Sequence, residues 1–244
     1  MSFWDTRVQE ISAEYDRDLN FLGEINLSKG KIRKTIGYTH PQYTAKLYKK
    51  YQNDKGLDLI KDPEFGNPHR LKEYSQSTLR CLDYARYLES FGITIGKIDS
   101  ITDFGSGYGN FCRIWKLWNQ QVLYYNCDLP EMHDIQRHYI ENTVDDYKGI
   151  EYITHKELNK VKKKNKSLFI AAYSLTECSL EVRTEVEPYL AMYDYILIIH
   201  NAKFDGIDNV DYIKDLQKRR LSGYECKHEI NEDSAKWWLI CKRK

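Results

Sequence analysis

The sequence predicts an α/β protein with a doubly wound, seven-stranded sheet, mostly parallel, closed by a C-terminal antiparallel hairpin and preceded by an N-terminal helical segment. Three observations carry this. Strand-like and helix-like stretches alternate from about residue 98 to residue 220. Residues 222–230 and 235–242 are two strand-like runs joined by Asn231-Glu232-Asp233-Ser234, a polar turn with no room for a helix. The first strand of the alternating region runs directly into Gly105-Ser106-Gly107-Tyr108-Gly109, which opens a helix.

Before residue 95 apolar side chains recur at helical spacing, first at Val8, Ile11, Tyr15, Leu19 and Leu22, then at Leu71, Tyr74, Leu79, Leu82, Tyr84 and Leu88. Breaker-rich stretches separate them: Gly37-Tyr38-Thr39-His40-Pro41 and Asp62-Pro63-Glu64-Phe65-Gly66-Asn67-Pro68. Beyond residue 95 strands are expected at 98–104, 122–127, 150–153, 168–173 and 194–200. Helices fill the gaps at 109–119, 130–143, 179–190 and 208–220. Strand alternating with helix is the pattern of parallel βαβ units. The expected division is a helical segment, 1–95, and an α/β domain, 96–244.

A chain of 244 residues can bury one sizeable core. Its 37 basic and 36 acidic residues leave a formal net charge of +1, which gives no global electrostatic reason to bind nucleic acid or an acidic membrane. The basic run Lys160-Val161-Lys162-Lys163-Lys164-Asn165-Lys166 reads as a solvated connection rather than a phosphate grip. No apolar run approaches the roughly 20 residues that span a bilayer. The N-terminus lacks the basic-then-apolar layout of a secretory signal, so a cytoplasmic location is expected. The six cysteines, Cys81, Cys112, Cys127, Cys178, Cys226 and Cys241, have neither metal-knuckle nor redox-pair spacing and read as buried free thiols. The 20 tyrosines are read as ordinary scattered aromatics.

The glycine turn is the most informative segment. Glycines let the backbone approach a ligand closely, and the helix that follows presents free N–H groups and the positive end of its dipole. A dinucleotide enzyme uses G-x-G-x-x-G. Here the spacing is G-x-G-x-G, and Asn110 occupies the place of the third dinucleotide glycine. Asp128 follows the strand Val122-Leu123-Tyr124-Tyr125-Asn126-Cys127, where a carboxylate can accept both hydroxyls of a ribose. Turn and carboxylate meet at the carboxyl ends of adjacent strands, the usual ligand position in open α/β sheets.

At this point the chain resembles a known family. Asp103-Phe104-Gly105-Ser106-Gly107-Tyr108-Gly109 is similar to the first motif of Rossmann-like (class I) S-adenosylmethionine-dependent methyltransferases, and the closing hairpin agrees with their sheet. More narrowly, DFGSGYGNFCRIW, YNCDLPEM, AAYSLTECSLEVR and WWLICKRK resemble bacterial and viral sugar O-methyltransferases, a likeness covering roughly residues 64–244 with the upstream EFGNP. The resemblance implies S-adenosylmethionine as cofactor, with S-adenosylhomocysteine as product. It implies that Asp103 lies near the methionyl amine and that Gly105, Ser106, Gly107 and Gly109 wrap methionine and ribose. Asp128 would hold the ribose hydroxyls and Leu129 would flank the adenine.

Methyl transfer to an alcohol asks for a general base at the carboxyl end of the fourth or fifth strand. The fourth strand leads into Tyr173-Ser174-Leu175-Thr176-Glu177 and lacks the Asp/Asn-Pro-Pro-aromatic motif of base-modifying N-methyltransferases. Tyr173 is assigned to the cofactor, Ser174 to the substrate, and Glu177 is a candidate base; equally, Glu177 fits a helix N-terminal residue stabilised by the dipole. The fifth strand ends in His200, which fits a second candidate base or a structural histidine, and Asn201, assigned to the substrate. His155 fits either the adenine or a surface loop; His40 and His69 lie in N-terminal loops that would cover the active site, and fit solvent exposure rather than substrate contact. No metal is expected, since His133 and Asp134 after Asp128 belong with the following helix. The expected function is O-methylation of a sugar hydroxyl in a glycan or nucleotide-sugar precursor. A small-molecule or glycan substrate is the expected partner, with neither nucleic acid nor membrane, and a homodimer is allowed. Methylation of another small molecule or of protein, and a non-catalytic binding module on the same fold, remain open.

Overall fold

The apolar runs after residue 98 form seven strands of one sheet in the computed structural model, which describes residues 40–66 and 69–244. The spacing Val8 to Leu22, and Gly37 to Thr39, Asn67 and Pro68 among the breakers, lie outside the described residues. The chain divides into two compact units. One holds the described residues up to Glu89, with Gly107–Gln120 and Leu129–Lys148; the other holds Ser90–Ser106, Gln121–Asp128 and Gly149–Lys244.

The first unit is helical: α1 (Pro41–Tyr51), α2 (Gln76–Ser90), α3 (Asn110–Trp118) and α4 (Pro130–Glu141). Proline at the first helical position starts α1 and α4, where its missing N–H costs no hydrogen bond. Leu47, Leu79, Leu82, Ile114, Trp115, Ile135 and Ile140 are fully buried. A buried polar network ties the N-terminal loop to α3. The Asp62 carboxylate accepts from the Ser75 backbone N–H, from Ser75 Oγ at 3.0 Å and from Thr78 Oγ1 at 2.7 Å. Arg113 lies 4.0 Å from that carboxylate and donates to the Lys61 carbonyl at 3.0 Å. The Asn110 amide donates to Thr78 Oγ1 at 2.9 Å and accepts from Arg113 Nε at 2.9 Å and from the Tyr139 hydroxyl at 3.0 Å. Asn110 therefore has an architectural task that a glycine could not perform.

The second unit is the sheet: β1 (Ser100–Phe104), β2 (Leu123–Cys127), β3 (Ile150–Ile153), β4 (Ser167–Ala172), β5 (Tyr195–His200), β6 (Tyr224–Asn231) and β7 (Lys236–Arg243). Their order is β6-β7-β5-β4-β1-β2-β3. All neighbours are parallel except β7, which runs antiparallel to both β5 and β6. The helices α5 (Ser174–Glu177), α6 (Leu180–Leu190) and α7 (Asn209–Arg220) belong to this unit. Leu168 to Ala171 and Ile196 to Ile199 are wholly buried, as the central strands of a parallel sheet require. One core gathers Phe104, Tyr125, Cys127, Phe169, Ile196, Ile198, Val186, Leu216 and Leu239. The chain leaves β1 toward β2 and β3, then returns to β4 on the other side, so the switch point lies between β1 and β4.

Two expectations change here. The fourth strand ends at Ala172, one residue early, because Tyr173 turns out of the strand at φ +75°. Cys226 and Cys241 are not free thiols. They face each other across β6 and β7 with Cα atoms 4.2 Å apart and form a disulfide. Their 15-residue separation gave no sign of it; the hairpin register brings them together. Cys81, Cys112 and Cys127 are buried and Cys178 is half-buried, all four outside the disulfide. Among the described residues no helix is long and apolar enough to cross a membrane. The Lys162–Lys166 connection is exposed, as expected of a solvated link.

Candidate functional site

The carboxyl ends of β1, β2, β4 and β5 gather most of the residues singled out from the sequence. Asp103, next to last in β1, is 4% exposed. The Tyr124 hydroxyl donates to its Oδ2 at 2.9 Å. Burial pushes the Asp103 carboxyl up to about 7; the Tyr124 bond opposes the shift and the nearby Asp128 charge adds to it. Gly105 follows with φ +76°, its N–H donating to the Cys127 carbonyl at 2.7 Å. A Cβ here would overlap the Ser174 Cβ and come within 2.7 Å of its Oγ. That hydroxyl donates to the Phe104 carbonyl, so the β1 turn and the first turn of α5 are locked together. Ser106 is buried, and the Asp128 N–H donates to the Ile153 carbonyl at 3.0 Å.

Gly105→Ala should therefore strike the fold itself. The new methyl must displace Ser174 while the backbone holds a left-handed φ, a combined cost of roughly 2–4 kcal/mol. Chemical denaturation measures it, and an unchanged midpoint would contradict the packing.

Within the helical unit, Gly107 takes φ +60° and Gly109, at the N-cap of α3, φ +94°. Gln136 Nε2 donates to the Gly107 carbonyl at 2.9 Å. A Cβ on Gly109 would touch Ile140 Cγ1 at 3.4 Å, whereas among the described residues a Cβ on Gly107 meets nothing within 4 Å. Leu129 is the N-cap of α4.

Tyr173 donates its N–H to the Ile199 carbonyl at 2.7 Å and holds a left-handed φ that only glycine adopts without strain. Four residues later Glu177 is half-buried, and desolvation raises its pKa while Lys236 opposes the rise. Asn201 Nδ2 donates to Glu177 Oε1 at 3.4 Å, and Lys236 Nζ donates to Asn201 Oδ1 at 2.6 Å. The lysine contact fixes which way the Asn201 amide points. Glu177 and Asn201 are thus brought together, with Lys236 as a third member.

His200 is placed otherwise. It is fully buried, and both ring nitrogens are engaged. Nδ1 lies 2.9 Å from the Asn201 carbonyl, which only accepts, so Nδ1 carries the proton. Nε2 then accepts from His228 Nε2 at 2.9 Å. Burial lowers the pKa of both rings, that of His228 to about 4 with help from His200. Trp237 stacks on His200 with centroids 6.4 Å apart. The ring is packed into the hairpin and has no free nitrogen for an acceptor proton; the base candidate that the geometry leaves is Glu177.

His155 pairs with Glu185 at 3.2 Å, and His40 caps α1 by accepting from the Tyr43 N–H at 3.4 Å. His133 and Asp134 lie on α4. Arg183 and Asn209 went unnoticed in the sequence. Arg183 is fully buried, donating to the Thr176 and Cys178 carbonyls and to Asn209 Oδ1 at 2.9 Å. Asn209 Nδ2 in turn donates to the Asn201 carbonyl at 3.2 Å. This network braces the end of α5, which carries Glu177. An arginine inside a helix gives no signal of such a role before the fold is known.

Comparison with solved structures identifies the architecture. Magnesium protoporphyrin IX methyltransferase from Synechocystis PCC 6803, solved with bound SAM, matches at 13% identity over 82% of this chain and 97% of its own, with a TM-score of 0.51. A candidate caffeoyl-CoA O-methyltransferase from Staphylococcus aureus matches at 10% identity over 83% of this chain and 98% of its own, TM-score 0.51. The chain spans 60% of the length of an O-methyltransferase family protein from Burkholderia thailandensis, with 69% of this chain covered, 12% identity and a TM-score of 0.47. Neither a protein-family profile nor a curated protein matches the chain by sequence. The fold is the Rossmann-like fold of class I methyltransferases, with a seven-stranded sheet and antiparallel strands at its C-terminal end.

Proposed function

We propose that this chain is an S-adenosylmethionine-dependent O-methyltransferase acting on a sugar hydroxyl. The observation that carries the cofactor is the end of β1, where a buried carboxyl at Asp103 precedes a turn with three glycines at positive φ, Gly105, Gly107 and Gly109. When bound, S-adenosylmethionine supplies an electrophilic methyl group on sulfur. Asp103 would pair with its ammonium, Asp128 would accept from the ribose hydroxyls, and Leu129 and Tyr173 would flank the adenosine and thioether. Glu177, desolvated and therefore more basic than an ordinary carboxylate, would take the proton from the acceptor hydroxyl. Asn201 and Ser174 would orient that acceptor. The sugar rests on the likeness of DFGSGYGNFCRIW, YNCDLPEM and AAYSLTECSLEVR to sugar O-methyltransferases. In this reading residues 1–95 serve the acceptor and residues 96–244 the cofactor, in the cytoplasm, with no nucleic-acid or membrane partner.

Calorimetric titration with S-adenosylhomocysteine tests the cofactor, and transfer of labelled methyl to a panel of nucleotide sugars, catechols and peptides tests the acceptor. No binding of the product would return the chain to the class of non-catalytic modules. Labelled catechol or peptide with unlabelled sugars would replace the substrate. The affinity should also depend on pH. Below about 7 the Asp103 carboxyl carries a proton and cannot pair with the ammonium. Binding the cation must expel that proton, so affinity rises as pH rises, about tenfold between pH 6 and pH 8. Asp103→Asn should bind weakly and lose the dependence. A flat wild-type profile would contradict the pairing.

A further inference from the structure

Asn126 is fully buried in β2, and among the described residues neither its Oδ1 nor its Nδ2 has a hydrogen-bond partner. A buried primary amide left wholly unpaired is costly in a ligand-free protein, and such groups call for an explanation. Its position supplies one. The parallel register sets Asn126 directly beside Asp103, and alternation puts Tyr124 and Asn126 on one face of β2. Tyr124 reaches Asp103 on that face, while Tyr125 and Cys127 enter the apolar core on the other. Asn126 therefore stands beside the Asp103 carboxyl and two residues before Asp128.

We propose that Asn126 acts with Asp103 to recognise the α-amino-acid end of the cofactor, an inference that rests on the S-adenosylmethionine reading above. The chemistry of the pair is complementary to a zwitterion. The Asp103 carboxylate and Asn126 Oδ1 accept from an ammonium, and Asn126 Nδ2 donates to a carboxylate. An acid alone would hold the amine and repel the carboxylate; the amide supplies the donor that the acid lacks.

Asn126→Leu keeps the shape and removes both polar atoms. Replacing an unpaired buried amide by an apolar side chain of similar size is neutral or stabilising, so the ligand-free melting temperature should not fall. Affinity for S-adenosylhomocysteine, measured by calorimetry, should drop about ten- to hundredfold, the loss expected for hydrogen bonds to charged groups. Affinity for 5′-methylthioadenosine, which has the adenosine and thioether but no amino-acid end, should not change. Equal losses for both ligands, or no loss for either, would overturn the assignment and leave the cofactor reading standing. A wild-type protein that binds neither ligand would overturn the cofactor reading and this inference with it.

Discussion

Gly107→Val should leave the chain folded and abolish measurable binding of S-adenosylhomocysteine. The glycine sits at φ +60°, and among the described residues a Cβ there meets no atom within 4 Å. The cost to the fold is then backbone strain alone, about 1–2 kcal/mol for a residue with a Cβ in the left-handed region. The cost to binding is far larger. The branched side chain would fill the space that the glycine leaves for a ligand, and a ligand that must be displaced from its turn loses hundredfold or more in affinity. Gly107→Ala offers the milder case, with the same direction and less strain. Gly105→Ala makes the contrast, since its methyl has Ser174 in the way and harms stability first. Unaltered affinity in a folded Gly107→Val protein would remove the glycine turn from the cofactor site.

Glu177→Gln should reduce methyl transfer by about 10²–10⁴-fold while S-adenosylhomocysteine binds as before. The substitution keeps size and hydrogen-bonding reach but cannot accept a proton from a hydroxyl. Burial lifts the Glu177 pKa above that of an ordinary carboxylate, so the wild-type rate should climb with pH as this group ionises and then level off. The glutamine variant should lose that limb. Lys236 and Asn201 orient Glu177, and Lys236 also favours its ionised form. Lys236→Met should therefore move the limb to higher pH. His200 supplies the comparison. Its two nitrogens are committed to the Asn201 carbonyl and to His228, so His200→Gln should lower stability and leave the rate per folded molecule near wild type. A Glu177→Gln protein as fast as wild type would eliminate Glu177 as base.

The sequence alone determined the architecture and the glycine turn that leaves the first strand. Both are written in local patterns: alternating strand and helix periods from residue 98 onward, a polar four-residue turn before β7, and glycines placed between β1 and α3. Glycine spacing also counted against the dinucleotide reading at Asn110, although only the fold gave Asn110 its own task, bridging Thr78, Arg113 and Tyr139. Tertiary structure alone decided which side chains meet. The disulfide between Cys226 and Cys241 follows from hairpin register, and the bracing of the end of α5 by Arg183 follows from the packing of α6. It also decided how the two candidate bases are bonded. A histidine at a strand end looks suited to proton transfer in sequence, but whether its nitrogens are free depends on residues 28 and 37 positions away, His228 and Trp237. Desolvation and hydrogen bonding are properties of the assembled core, so Asp103 near neutrality, Glu177 raised and Asn126 unpaired could be read only there.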